Sequence, residues 1–351
     1  MVVILGAGIT GASTAYYLAQ NGVVDITVMD AIGPATCSKA AAFLSESWGD
    51  GSKREKLHRA AFPLHLDLAR DLGLHSFCEI PAYHKVDIFQ AQDLEQTIPW
   101  HQLDQEQKQL YQKPGRHALV DPEELVTSLI KEATSKGARL ETNSVARIMA
   151  QSLVLDDGTM RNLEDEEPVV VAMGPWTSRL EDWLQIPMPI DGVLSTSIVW
   201  DHLQLLGEEP SALFCEEDLY GYHLEIFQRY DKSLYISGLG NSKSIKASVF
   251  RGPDRPIPGK EVPSRPDAAL RSLDKSHLLV ATSELSSPDL VRACIRPMSP
   301  DGMPIVGNIG NSNIFVASGG GQWGITWGPL LGQLVANMIC GKALPLSPLS
   351  L

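Results

Sequence analysis

Apolar and polar positions fall along this chain in blocks that read alternately as strands and helices. Met1 to Leu5 is a short apolar run of the buried-strand type. A helix is expected from about Ala12 to Gln20, closed by Asn21-Gly22. "DITVMD" reads as a second strand and ends in Asp30, and a helix is expected to begin in the small-residue stretch "AIGPATCSKAAAFLS". From Arg54 to Leu72, leucines and alanines share one helical side, and Pro63 has to kink that helix or lie near its start. "YHKVDIFQ" reads as a strand, and the polar "DLEQTIPWHQLDQEQKQLYQKPG" as peripheral chain.

A second unit follows. Asp121 is placed to cap a helix, Pro122 to occupy its first position and Gly137 to end it, before a strand at Ala138 to Thr142. "SVARIMAQSLVLDDGTMRN" reads as a hairpin turning at Asp157-Gly158, and "PVVVAMG" as a buried strand. From about Pro187 to Leu285 strand-like pieces dominate, the mark of a separate antiparallel sheet. The chain closes with a hairpin around Asp301-Gly302, a strand at Ile314 to Ala317, a glycine run and an apolar helix ending at Gly341.

The opening strand leads directly into "GAGITG", with Gly6, Gly8 and Gly11 in G-x-G-x-x-G spacing. Such a loop is either a tight strand-to-helix turn or a seat for a dinucleotide diphosphate. The context favours the diphosphate. Gly6 permits the turn, Gly8 leaves room for an anion, and Gly11 lets helix and strand approach. The helix start offers N–H groups and the positive end of a dipole. Asp30 follows about 20 positions on, where a carboxylate accepts from ribose hydroxyls. It would also repel the 2′-phosphate of NADP. The expected class is therefore α/β: a Rossmann-type dinucleotide-binding domain interleaved with an antiparallel-sheet (α+β) substrate domain. The first is assigned residues 1–80, 115–186 and 287–351, and the second 81–114 and 187–286.

With 351 residues, two domains are expected. A net charge of −13 argues against nucleic acid or an anionic membrane as partner. Five scattered cysteines without a C-x-x-C pair indicate neither a zinc site nor a disulfide framework, and no metal site is expected. A reducing, cytoplasmic location is expected, with no signal peptide and no apolar run long enough to cross a bilayer. The terminal "PLSPLSL" lacks the basic residue of a peroxisomal signal.

Three further small-residue stretches are placed to touch a long cofactor: Ser38 to Phe43, "VAMGPW", and "SGGGQWGIT", which ends one strand and opens a helix. A helix start there suits the pyrimidine end of a flavin. Here the sequence resembles the D-amino-acid-oxidase-like superfamily of FAD-dependent oxidoreductases, the group that includes glycine oxidase and sarcosine oxidase. The N-terminal "VVILGAGITG…D", the middle "VVVAMGPW" and the C-terminal "IRPMSPDGMPIVG…IFVASGGGQWGIT" stand in that group's order and span nearly the whole chain. "SKAAAFLSESWGDGS", "HALVDPEELV" and "GPWTSRLEDWLQIPMPIDGVLSTSIV" look most like a branch of uncharacterised fungal and plant oxidoreductases.

The resemblance implies FAD, held non-covalently since no cysteine or histidine matches a covalent attachment point. It implies that Gly6, Gly8, Ile9, Thr10 and Gly11 hold the diphosphate, and that Asp30 and Ala31 meet the adenosine ribose. Ser38, Ala41, Ala42 and Phe43 would line the route to the isoalloxazine, although Ala41 and Ala42 stand where that branch commonly has glycines. Val145 would meet the adenine. Ala172, Gly174 and Trp176 would pack beside the cofactor. Gly320, Gly321, Gln322, Trp323, Gly324, Ile325 and Thr326 would lie along the ring.

Arg296 matches the arginine that binds the substrate carboxylate in amino-acid-oxidising relatives, and a planar guanidinium suits that task. The other reading is a structural arginine bonding loop carbonyls before Pro297. Tyr222, in "LYGYHLEIFQRY", is either a polar contact to substrate or an ordinary strand aromatic. The expected activity is oxidation of the C–N bond of an amino acid or secondary amine by hydride transfer to flavin N5. Two alternatives stand beside it: an NAD-dependent or hydroxy-acid dehydrogenase, and a flavoprotein with little turnover that serves as an interaction component.

Overall fold

The computed structural model describes residues 1–32, 40–87, 108–201, 209–217, 223–239, 242–252, 256 and 287–346. Two sheets dominate. The first has six strands, in the order 305–308, 314–318, 169–171, 2–5, 26–30 and 139–142. All pairings are parallel except that of Ile305–Asn308 with Ile314–Ser318. The expected Rossmann-type α/β unit is thus present. From Val2–Leu5 the chain moves outward through Ile26–Asp30 to Arg139–Thr142, then returns to Val169–Val171 on the other side. The order reverses at the C-terminal end of the opening strand, the place where open α/β sheets bind ligands.

Alternation along the opening strand explains its burial on both sides. Val2 and Ile4 join the core beneath the helices, whereas Val3 and Leu5 join a second core. The helix side is built from Ile9–Gln20, Pro122–Ser135 and Gly324–Ile339. A Cβ added at Gly328 would lie 2.6 Å from Ile9, and one at Gly332 2.6 Å from Ser13, so these glycines set how closely the closing helix approaches the first. The opposite side is covered by a three-stranded meander, Val145–Met149, Ser152–Leu155 and Met160–Asn162. It is one strand longer than the single hairpin expected, because the chain turns at Ala150-Gln151 as well as near Asp157-Gly158.

The second sheet has eight strands, antiparallel except where Ser211–Cys215 runs parallel to Ala82–Asp87. Two of its strands depart from the sequence reading. Lys108–Gln112, expected as peripheral chain, is an edge strand paired with Ala82–Asp87. Leu290–Met298 pairs along its whole length with Asp191–Trp200, so the chain rejoins the six-stranded sheet only at Ile305–Asn308. The helix expected to begin in the stretch from Ala31 to Ser45 is absent from residues 40–45, and residues 33–39 lie outside the described ones. Phe43–Ser45 is a strand paired with His117–Leu119, and that pairing outweighs the helical preference of the alanines before it. The helix Glu55–Leu72 keeps Pro63 inside it. Asp121 caps Pro122–Ser135 as expected, accepting from the N–H groups of Glu123 and Glu124.

Candidate functional site

The glycine loop is fixed by backbone approach. Gly6 has φ +105°, in the left-handed region, and a Cβ there would lie 2.3 Å from the Ala172 carbonyl oxygen. A Cβ on Gly11 would lie 1.9 Å from the Gly6 carbonyl oxygen. No other residue fits either position. Gly8 is the N-cap of the first helix and brings no side-chain cap, the arrangement that leaves first-turn N–H groups to an outside acceptor. Asp30 braces the loop. Its Oδ2 accepts from the Ala7 N–H at 2.7 Å and its Oδ1 from the Ile32 N–H at 2.9 Å. Each oxygen keeps a second lone pair for a hydroxyl.

From this loop a cavity of about 460 Å³ runs to the face of the eight-stranded sheet. Gly6, Gly8, Ile9, Thr10, Asp30 and Ala31 line its first part, joined by Val145. The Val145 carbonyl also accepts from Arg179 Nη1 at 3.2 Å. Ala172, Gly174 and Trp176 line it as well, as do Ala41 and Ala42 and the Phe43 that opens the strand Phe43–Ser45. Gly320, Gly321, Gln322, Trp323, Gly324 and Ile325 form another wall, and Arg296 stands on the strand side.

Two of the expected residues sit behind the wall. Gly11 packs on the loop itself. The Thr326 hydroxyl donates to the Phe43 carbonyl at 3.2 Å, while the Thr326 carbonyl pairs with His65 Nε2 at 2.9 Å. Ser38 and Tyr222 lie outside the described residues. Ala42 has φ +56°. This is the left-handed region, which glycine enters at no steric cost and an alanine rarely adopts.

The second sheet supplies cavity residues that the sequence reading passed over. Glu225 and Phe227 come from one strand, Tyr235 and Ser237 from the next, and Phe214 from a third. Each pair sits two residues apart, so alternation puts both members on one face. The signal was present in "HLEIFQRY" as a carboxylate on the inward register of an apolar strand. Phe43, Trp48 and Phe214 close one end as an aromatic wall, with centroids 5.5 Å apart for Phe43–Trp48 and 4.5 Å for Trp48–Phe214. Trp48 lies 5.8 Å from Trp323.

Burial works against the charge of Arg296, but Cys294, Glu225 and Tyr235 around it hold its pKa above the ordinary arginine value. Burial likewise pushes the Tyr235 phenol up, as does Cys294. Behind Tyr235, the Arg229 guanidinium lies 4.7 Å from the ring centroid and donates to the Ala40 carbonyl at 2.9 Å. This ties the second sheet to the loop that carries Ala41 and Ala42.

A parallel sheet with a glycine loop at its reversal point, and a cavity running from that loop to an antiparallel sheet, define a dinucleotide-binding α/β protein. The chain belongs to the DAO family of FAD-dependent oxidoreductases, whose model matches residues 1–338. It is 27% identical over 390 residues to a Schizosaccharomyces pombe chain that carries the provisional name oxidoreductase C1F5.03c, covering 97% of this chain and 94% of that one. Glycine oxidase from Geobacillus kaustophilus shares the fold with a TM-score of 0.76 at 22% identity, covering 100% of this chain and 97% of that one. L-Proline dehydrogenase from P. horikoshii does so with a TM-score of 0.74 at 18% identity, covering 98% and 94%. The residues present fit FAD: Gly6 and Gly11 hold the loop in a close approach that side chains would block, Gly8 leaves the start of the first helix without a side-chain cap, and the carboxylate ending the second strand borders the same cavity. Among the described residues, no helix is long and apolar enough to cross a membrane, and no cluster of metal-ligating side chains occurs.

Proposed function

We propose that this oxidoreductase oxidises the C–N bond of an amino acid or secondary amine, with oxygen or another acceptor taking the electrons. The observation that carries this reading is Arg296, a guanidinium in the wall of the cavity that begins at the glycine loop. Bound FAD supplies a hydride acceptor at ring N5. The protein's part is orientation and dryness. Arg296 grips a carboxylate through paired N–H donors and so fixes the carbon that loses hydride. Phe43, Trp48 and Phe214 keep water away from that carbon and accept an apolar side chain. Val145, Asn143 and Ser144, beside Asp30, would hold the adenosine end, and the start of the first helix the diphosphate.

The named relatives support the substrate class, since one is a glycine oxidase and another an L-proline dehydrogenase. A cavity that continues past the glycine loop to a charged wall favours turnover over a cofactor kept for stability alone. Arg296→Met tests the assignment. Flavin content stays unchanged, while kcat/KM for an amino-acid substrate falls roughly 10- to 100-fold, the loss expected for a charge-assisted pair. Undiminished kcat/KM in the variant would contradict the role given to Arg296.

A further inference from the structure

The cavity wall carries a second charge, opposite in sign to Arg296, that the proposed reaction does not yet use. Glu225 opens the strand Glu225–Gln228 and borders the same cavity as Arg296. Its cross-strand partner is Ser237, whose hydroxyl donates to Glu225 Oε2 at 2.8 Å. That bond holds the carboxylate on the cavity wall and occupies only one of its two oxygens. Among the described residues, neither Glu225 nor Arg296 takes part in an ion pair. The two charges are near enough to influence each other, yet they are held apart rather than joined. Two half-buried opposite charges without contact are unfavourable unless something spans them. A zwitterion does so, offering a carboxylate to the guanidinium and an ammonium group to the carboxylate.

We propose that Glu225 reads the substrate's ammonium nitrogen, so that the site takes zwitterionic amino acids in preference to 2-hydroxy acids of the same skeleton. This rests on the reading of Arg296 as the carboxylate anchor. A hydroxy acid satisfies Arg296 equally well but brings no positive charge to Glu225. The preference therefore resides in one residue, whereas overall carboxylate binding resides in the other.

The test uses the purified holoprotein and two probes that lack an α-hydrogen and cannot be oxidised, 2-aminoisobutyrate and 2-hydroxyisobutyrate. Binding is followed through the visible absorbance of the flavin. The unaltered protein binds the amino probe about tenfold or more tightly than the hydroxy probe, as expected for one charge-assisted contact. Glu225→Gln, nearly isosteric and with unchanged flavin content, loses that preference while its affinity for the hydroxy probe stays within about twofold. Ser237→Ala, which frees the carboxylate without removing it, reduces the preference in part. Arg296→Met weakens both probes together. If Arg296→Met weakens both probes but Glu225→Gln keeps the preference, the role of Glu225 is overturned and the proposed function stands. If Arg296→Met leaves both affinities intact, the carboxylate anchor falls and the zwitterion argument with it. An unaltered protein that binds neither probe, or does not discriminate between them, likewise overturns the proposal.

Discussion

At the scale of single residues, the glycine loop makes the sharpest demands. An alanine at Gly6 meets both a left-handed φ and the Ala172 carbonyl, and an alanine at Gly11 meets the Gly6 carbonyl. The first must push the loop away from Ala172 and Met173, and the second must push the first helix away from the strand and loop that precede it. Gly11→Ala is expected to cost about 2–3 kcal/mol in stability and to lower the flavin-to-protein absorbance ratio; a variant with full flavin content would contradict the close approach. These positions were legible in the sequence because their constraint is local: strand, turn and helix are contiguous. Glu225, Tyr235 and Ser237 were not singled out, because what makes them special is the cavity they face, and that depends on how two distant sheets meet. Alternation gave their face, but not what lies opposite it. Arg296 was found through resemblance rather than pattern, since an arginine before a proline reads equally well as a structural residue.

At the scale of elements, two helices bring the ends of the chain together. The closing helix Gly324–Ile339 lies against the first helix, with Gly328 and Gly332 one turn apart on the contact face. A methyl group at residue 332 would press on Ser13 and on the Thr14 nitrogen, each 2.6 Å away. Gly332→Ala is therefore expected to destabilise the protein by roughly 1–3 kcal/mol, as overpacking does, and to appear as a lower midpoint in thermal unfolding. An unchanged midpoint would mean the helices can separate without loss. The helices themselves were readable from period and caps, down to Asp121 and Pro122. The strands Lys108–Gln112 and Leu290–Met298 were harder to place, because membership of a sheet is set by a partner far away in sequence, here Ala82–Asp87 and Asp191–Trp200. The stretch Ala40 to Ser45 misled for the same reason: its composition favours a helix, but its pairing with His117–Leu119 decides.

For the whole molecule, the distribution of buried histidines sets an acid limit. His65 is fully enclosed, and burial pulls its pKa down to about 4, against the opposing bonds to Thr326 and Ile325. Burial also lowers His58 and His117. Between about 6.5 and 4 the unfolded chain binds a proton at His65 that the folded chain does not. Stability is thus complete above that window and falls as pH drops through it, by about 3 kcal/mol from His65 alone when the window has been crossed. Unfolding midpoints measured from pH 7 to pH 4 should decline, and more gently in His65→Gln. A variant with an unaltered slope would show that His65 does not set the limit. The same burial places the His65 ring against the Thr326 carbonyl, directly behind the wall formed by Trp323 to Ile325. Acid stress is accordingly expected to release flavin before the second sheet unfolds.

The central claim is that the cavity from Gly6 to Arg296 joins an FAD site to an amine-oxidising pocket. It is tested most directly by the visible spectrum of the purified protein, recorded without oxygen before and after adding a pool of D- and L-amino acids and N-methyl amino acids. The account predicts flavin bands that bleach on addition, and subdivision of the pool then isolates the substrate. Flavin bands that persist through every member of the pool would contradict the proposed chemistry, and the absence of flavin bands even after added FAD would contradict the cofactor site itself.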